Sequence, residues 1–268
     1  ILETFLLGGL NDTFIGSANG ETIYGNAGND RIDAGAGDDA LIGGAGDDIL
    51  IGGAGADSFD GGAGIDTVDY SASLAGVSIN LGTGTGNTGG DAEGDVYVAG
   101  SIENAVGSDY ADYLVGSSAV NILTGGAGND IIIGGGGADI LNGGEGDDVI
   151  ASGLGADQII GGDGFDVADY RNSNAAVSIS SDGTAGAGGW AAGDILSGIE
   201  RIEGSLNYGD TLRGNVSTAT VLWGWGGNDS FVSFNQADSI DGGTGFDTID
   251  YSGSFAGVTV RLDGTASS

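Results

Sequence analysis

The chain has 268 residues, 60 of them Gly, with no Pro, Cys, Met or His, and its 39 acidic against 5 basic residues give a formal net charge of −34. A charge of that size repels itself, opposes compaction and excludes nucleic acid and anionic membrane surfaces as direct partners. The absence of Cys excludes disulfides and thiol chemistry, the absence of Cys and His together argues against zinc ligation, and no apolar run approaches the roughly 18 residues of a membrane-crossing helix.

From Leu7 to Asp69 the sequence runs as seven consecutive nonapeptides with an acid at the sixth position of each: Asp12, Glu21, Asp30, Asp39, Asp48, Asp57 and Asp66. The clearest copies are GGAGDDILI (43–51), GGAGADSFD (52–60) and GGAGIDTVD (61–69). Fixed self-similarity sets the architecture ahead of any local propensity, because one unit cannot bury its own apolar face and must stack on the next. The first six positions are Gly-rich, which predicts a turn with backbone angles that Cβ-bearing residues resist; positions seven to nine are β-prone. Position eight points inward: Phe14, Ile23, Ile32, Leu41, Leu50, Phe59 and Val68. One inward side chain per nine residues is a thin core. At about 25 cal/mol per Å² it cannot offset ordering nine residues at about 1–2 kcal/mol each, so the repeats are expected to need metal to fold.

Residues 70–106 form a spacer. It follows DTVDY (66–70) and contains an alternating stretch, GVSINL (76–81), a Gly-rich loop, and GDVYVAGSIENAVGS (94–108). The alternation predicts further short strands that continue the solenoid less regularly. The second block, 107–169, again holds seven nonapeptides, with Asp112, Asn121, Asp130, Asp139, Asp148, Asp157 and Asp166 at position six. Leu114, Leu123, Ile132, Leu141, Ile150, Ile159 and Ala168 stand at position eight. A second spacer, 170–204, repeats the first with DVADY (166–170), AVSISS (176–181) and GDILSGIERIEGS (193–205). A third, worn block, 205–250, keeps Asp210, Asp229, Asp238 and Asp247, but Ala219 replaces one acid and Trp223 breaks the register by one residue. After DTIDY (247–251), residues 251–268 start another spacer with GVTVRL (257–262), and the chain reads as a fragment of a larger protein.

The pattern G-G-x-G-x-D-x-U-x, with U a large apolar residue, resembles the calcium-binding repeat of the RTX family of secreted bacterial proteins. Four tandem copies in 34–69, preceded by GNAGNDRID (25–33), carry the resemblance. It implies an all-β, right-handed parallel β-roll or β-helix in which two nonapeptides make one coil and turns alternate between opposite edges. Asp30, Asp48 and Asp66 then share one edge and Asp39 and Asp57 the other; Asp130, Asp148 and Asp166 lie opposite Asp139 and Asp157.

The resemblance further implies Ca²⁺ between successive turns of an edge. Both sixth-position side chains bind it, with the carbonyls of positions two and four of the first turn and one and three of the next. For Asp30/Asp48 these are Asn26, Gly28, Gly43 and Ala45; for Asp39/Asp57, Gly35, Gly37, Gly52 and Ala54; for Asp48/Asp66, Gly44, Gly46, Gly61 and Ala63. In the second block they are Gly126, Gly128, Gly143 and Glu145 for Asp130/Asp148; Gly135, Gly137, Ser152 and Leu154 for Asp139/Asp157; and Gly144, Gly146, Gly161 and Asp163 for Asp148/Asp166. Asp229/Asp247 would add Gly227, Gly242 and Thr244. With Asp12/Asp30 and Asp112/Asp130 the same-edge pairs reach nine, so about nine Ca²⁺ or more are expected. Such oxygen shells suit Ca²⁺, whereas Mg²⁺ prefers water-rich octahedra.

Catalysis is not expected. There is no His, Cys or Lys to serve as base or nucleophile, and HExxH is absent. Asp38, Asp47 and Asp147, at position five, read as solvated residues beside the ligands. The Asp-Tyr pairs 69–70, 169–170 and 250–251 read as block ends rather than catalytic dyads. Trp190, Trp223 and Trp225 read as covers for the ends of solenoid sections, with sugar stacking as the alternative. The leading expectation is a secreted, calcium-folded module acting as a stalk or as a secretion and folding aid, exported by the type I route that the resemblance implies. The alternatives are an adhesion or surface-layer module binding glycans or itself, and the accessory module of a secreted protease, lipase or polysaccharide epimerase.

Overall fold

The computed structural model describes residues 3–234 and 237–254. Parallel strands stack as a β-solenoid of about 14 turns, with only two short 3-10 turns, Gly90–Ala92 and Gly189–Ala191, among the described residues. Each apolar triplet at positions seven to nine becomes a short strand, and each Gly-rich stretch turns the chain to the opposite sheet.

In the first block, Glu3–Leu6, Glu21–Ala27, Ala40–Ala45 and Ser58–Ala63 lie in one sheet. Thr13–Ser17, Arg31–Gly35, Ile49–Ile51 and Thr67–Asp69 lie in another. Leu41 is in register with Ile23 and Phe59, and Leu50 with Ile32 and Val68, so two nonapeptides make one coil. The second block repeats the scheme with Tyr113–Val115, Ile131–Gly136, Val149–Leu154 and Val167–Asp169 alternating with Ile122–Ala127, Ile140–Glu145 and Gln158–Asp163. Of the fourteen expected inward residues, thirteen are fully buried. Phe14 is half-buried in the first turns, where its ring packs on Phe5 at 4.8 Å.

The spacers continue the stack out of chain order. Ser78–Asn80 pairs forward with Tyr113–Val115. The chain then returns: Val96–Tyr97 pairs with Ser58–Ala63, and Asn104–Val106 bridges Thr67–Asp69 and Ile122–Ala127. The second spacer does the same, with Ser178–Ser180 on Thr211–Arg213, Ile195–Ser197 on Gln158–Asp163, and Arg201–Glu203 between Val167–Asp169 and Val221–Trp223. Each spacer is therefore a clasp whose early strand belongs to the next block and whose later strands complete the previous one. Its side chains, including Tyr70, Val77, Ile79 and Tyr97, join the same buried core. In the third block Thr211–Arg213, Ser230–Val232 and Thr248–Asp250 stack together, and the ladder step from Asp210 to Asp229 lengthens to 19 residues. The expected GVTVRL strand at 257–262 lies outside the described residues.

Candidate metal centres

The turn has two separate reasons for glycine. Positions two and four take positive φ, as in Gly44 (114°) and Gly46 (135°), which a Cβ opposes. Position three does not, and Ala occupies it in most copies of the first block. At position one the reason is space: a Cβ on Gly43 would overlap Asp48 Oδ2 and the Gly61 carbonyl. The expectation that backbone angle alone makes positions one to six Gly-rich is corrected accordingly. The tight turn seats the sixth-position carboxylate against its own first residue.

Each ladder Asp uses its two oxygens differently. Oδ1 accepts the backbone N–H of the ladder residue one coil earlier: Asp30 to Asp48 at 2.7 Å, Asp48 to Asp66 at 2.8 Å, Asp39 to Asp57 at 2.8 Å. The second block repeats this from Asp130 to Asp148, Asp148 to Asp166 and Asp139 to Asp157 at 2.8–2.9 Å. The expected edges are thus the observed edges. Oδ2 of Asp30, Asp39, Asp48, Asp57, Asp66, Asp130, Asp139, Asp148, Asp157, Asp166 and Asp229 is buried without a hydrogen-bond partner. The first ten of these residues are at most 3% exposed. A buried, unpaired carboxylate oxygen is costly unless the group is neutralised or binds a cation.

Among the described residues no protein cation supplies that charge: Arg31 pairs with Asp69, Arg171 with Asp169 and Glu203, Arg201 with Glu203 and Arg213 with Asp182, all off the ladders. Burial pushes Asp57, Asp130 and Asp157 up to about 7. It pushes Asp66, Asp139, Asp166 and Asp229 up to about 6. Loss of solvent is the largest cause, and neighbouring carboxylates add to it.

Six pairs present an unpartnered Oδ2 on both members: Asp30/Asp48, Asp48/Asp66, Asp39/Asp57, Asp130/Asp148, Asp139/Asp157 and Asp148/Asp166. The outer positions differ. Asp12 Oδ2 accepts the Gly8 N–H at 2.7 Å, and Asp112 accepts N–H groups of Ser108 and Val77, so both carboxylates cap their own turns. Ser17 Oγ donates to Glu21. Asn121 Oδ1 accepts the Ser117 N–H at 2.7 Å while Nδ2 donates to the Glu103 carbonyl at 2.6 Å. In the third block Asp247 is exposed and only Asp229 keeps the buried free oxygen.

The expected carbonyl ligands stack at the same edges. Asn26 is in register with Gly44, Gly126 with Gly144, and Gly135 with Gly153. Third-position carbonyls of Ala45, Ala54, Ala63, Glu145, Leu154, Asp163 and Thr244 each accept the N–H of Gly28, Gly37, Gly46, Gly128, Gly137, Gly146 and Gly227 respectively, at 2.8–3.0 Å. That bond uses one lone pair and leaves the other for a metal. No three acidic side chains converge on a metal position among the described residues. A cation held here therefore takes two carboxylates and completes its shell with backbone oxygen, which is hard-cation chemistry suited to Ca²⁺.

The sequence reading missed four acids. Asp57 N–H donates to Asp95 Oδ1 at 2.8 Å and Asp157 N–H to Asp194 Oδ1 at 2.9 Å. Asp66 and Asp166 N–H donate to Oε2 of Glu103 and Glu200, both at 2.9 Å. The available signal was the matched Gly-Asp and Ile-Glu dipeptides of the two spacers. The tyrosines of the first two Asp-Tyr pairs are buried: Tyr70 Oη donates to Asp95 Oδ2 at 2.6 Å and Tyr170 Oη to Asp194 Oδ2 at 2.9 Å. Position-five acids stitch the exposed rim, with Asp47 and Asp147 Oδ1 accepting N–H groups of Ile65 and Phe165 at 2.9 Å, and Asp38 that of Ala56 at 3.1 Å. Trp190, within the second clasp, packs on the core. Trp223 and Trp225 do not cover an end; they sit edge-to-face at 5.8 Å, with Arg201 over Trp223 at 4.3 Å.

Rows of buried aspartate oxygens without counter-charge, along both edges of a parallel β-solenoid, define a cation-binding repeat protein. The family model for the RTX calcium-binding nonapeptide repeat (4 copies) matches residues 8–41, 15–50, 34–68, 106–141, 133–168 and 232–250, and the chain belongs to that family. No curated protein matches the chain.

Proposed function

We propose that this chain is a non-catalytic structural module that Ca²⁺ folds outside the cell, serving a larger secreted protein as a stalk or a folding and secretion aid. The observation that carries the reading is the set of eleven buried Oδ2 atoms that, among the described residues, have neither hydrogen bond nor arginine partner. When bound, Ca²⁺ supplies the positive charge those oxygens lack. The chain's own residues do the rest: glycine turns seat the carboxylates, Oδ1 accepts the preceding N–H, and position eight fills the core. Affinity in the millimolar range, common in extracellular modules, would leave the chain unfolded at cytosolic calcium and fold it outside. Small-angle scattering tests this: the chain should be compact in millimolar Ca²⁺ and expanded in chelator at neutral pH. A compact chain with full β content in chelator would refute it.

A second reading, adhesion through glycans or a second copy, draws on the surface cluster of Trp223, Trp225 and Arg171, with Trp225 37% exposed. Trp225→Ala would then abolish glycan binding or self-association without changing the calcium transition.

A further inference from the structure

We propose that Glu103 and Glu200 carry the calcium ladder across each block–spacer junction, forming two further Ca²⁺ sites, Asp66/Glu103 and Asp166/Glu200. The proposal rests on the reading of the aspartate ladder as calcium-binding, and it concerns residues outside the nonapeptide pattern.

Within a block, a ladder Asp accepts the N–H of its predecessor on Oδ1 and keeps a second oxygen free. Glu103 and Glu200 take that role at the block ends. Each accepts the N–H of the last ladder Asp on Oε2, at 2.9 Å. The Oε1 of each carries no hydrogen bond among the described residues. Facing them, Asp66 and Asp166 are 0% exposed, and their Oδ2 atoms have no partner. Those two oxygens are as starved of positive charge as any inside a block.

The backbone also reproduces the repeat. In a regular turn the carbonyl of the next coil's first residue lies where a Cβ of the first glycine would stand: Gly61 O against Gly43, Gly143 O against Gly125. At the junctions the spacers supply that carbonyl from unrelated sequence, Ser101 O against Gly61 and Gly198 O against Gly161. The Asp66 carbonyl then accepts two N–H groups, Glu103 at 3.1 Å and Asn104 at 2.9 Å; the Asp166 carbonyl does the same with Glu200 at 3.1 Å and Arg201 at 2.9 Å. Both spacers, which share the Ile-Glu dipeptide but not the nonapeptide pattern, thus build one geometry. Glutamate fits because its extra methylene extends a carboxylate from a spacer turn that lacks the G-G-x-G-x-D loop.

The opposite edge ends differently. Asp95 and Asp194 also accept the preceding ladder N–H, but their second oxygens are taken by Tyr70 Oη and by Tyr170 Oη with Ser152 Oγ. A hydroxyl closes that edge, whereas a carboxylate oxygen stays open on the edge of Glu103 and Glu200.

The test is the number of Ca²⁺ ions retained per chain, by equilibrium dialysis with atomic emission, for the whole chain and its Glu103→Gln/Glu200→Gln variant. Glutamine keeps an acceptor for the Asp N–H but removes the charge. The variant is expected to hold two ions fewer than the parent. An unchanged count overturns this inference and leaves the ladder reading intact; a parent chain that binds no Ca²⁺ overturns the ladder reading itself. If the variant fails to reach the parent's circular dichroism at saturating Ca²⁺, calcium anomalous scattering from crystals of the parent decides. A peak between Asp66 Oδ2 and Glu103 supports the site, and its absence alongside a peak at Asp30/Asp48 overturns it.

Discussion

At the scale of the residue, the two oxygens of one aspartate divide the work of folding. Asp48 Oδ1 holds register by accepting the Asp30 N–H, while Oδ2 faces a buried space with no donor. Asp48→Asn keeps the acceptor and removes the charge from two adjoining sites. It is expected to cost about 3 kcal/mol or more of calcium-loaded stability, read as a higher Ca²⁺ midpoint and loss of about two bound ions. Neighbouring glycines separate backbone strain from metal seating. Gly43→Ala drives a methyl into Asp48 Oδ2, so calorimetry should show weaker calcium binding as well as lower stability. Ala45→Gly, at a turn position of ordinary φ, should cost only about 0.5–1 kcal/mol in a denaturant titration at saturating Ca²⁺.

At the scale of the element, the clasps carry what the period does not describe. Tyr70 Oη lies between Asp95 Oδ2 and Tyr97 Oη at 2.6 and 2.7 Å in a fully desolvated pocket. Tyr70→Phe leaves a buried carboxylate oxygen without its donor and is expected to destabilise the calcium-loaded chain by about 1–3 kcal/mol, read from urea unfolding, with the bound-ion count unchanged. Legibility in the sequence divides along the same line. Position eight and position six could be read directly from the nine-residue period, whereas the stacking of Leu41 over Ile23 and Asp48 over Asp30, 18 residues apart, is an expectation from the family resemblance that the structure bears out. Asp95, Glu103, Asp194 and Glu200 could not be read, because the out-of-order strands separate them from their ladder neighbours by 34 to 38 residues. Their ligand-like geometry comes from the fold, and periodicity carries no trace of it. The end residues Asp12 and Asp112 kept the period, but each turns its Oδ2 to an N–H group of its own turn instead of leaving it buried and unpartnered.

At the scale of the whole molecule, the proposed role of calcium is a matter of charge. Net charge is −34, and the ladder carboxylates add a buried component that no arginine meets among the described residues. Folding without metal raises Asp57, Asp130 and Asp157 to about 7, from an ordinary carboxylate value of about 4. A group raised on folding binds more protons in the folded than in the unfolded state. Its contribution is therefore full below pH of about 4 and is lost as pH rises through about 6–7. Calcium-free chain should accordingly gain β structure on acidification from pH 7 to 4, and apparent Ca²⁺ affinity should fall over the same interval as protons compete. Circular dichroism in calcium-free buffer across that range checks the first, and calorimetry in buffers of different ionisation heat checks the second through proton release. The central claim, that calcium occupies the ladder and thereby folds the chain, is tested most directly by far-ultraviolet circular dichroism during a Ca²⁺ titration at pH 7, with Mg²⁺ in parallel. A cooperative coil-to-β transition with Ca²⁺ near millimolar concentration, absent with Mg²⁺, is the predicted result; a spectrum that stays unchanged throughout the titration, whether folded or unfolded, would contradict it.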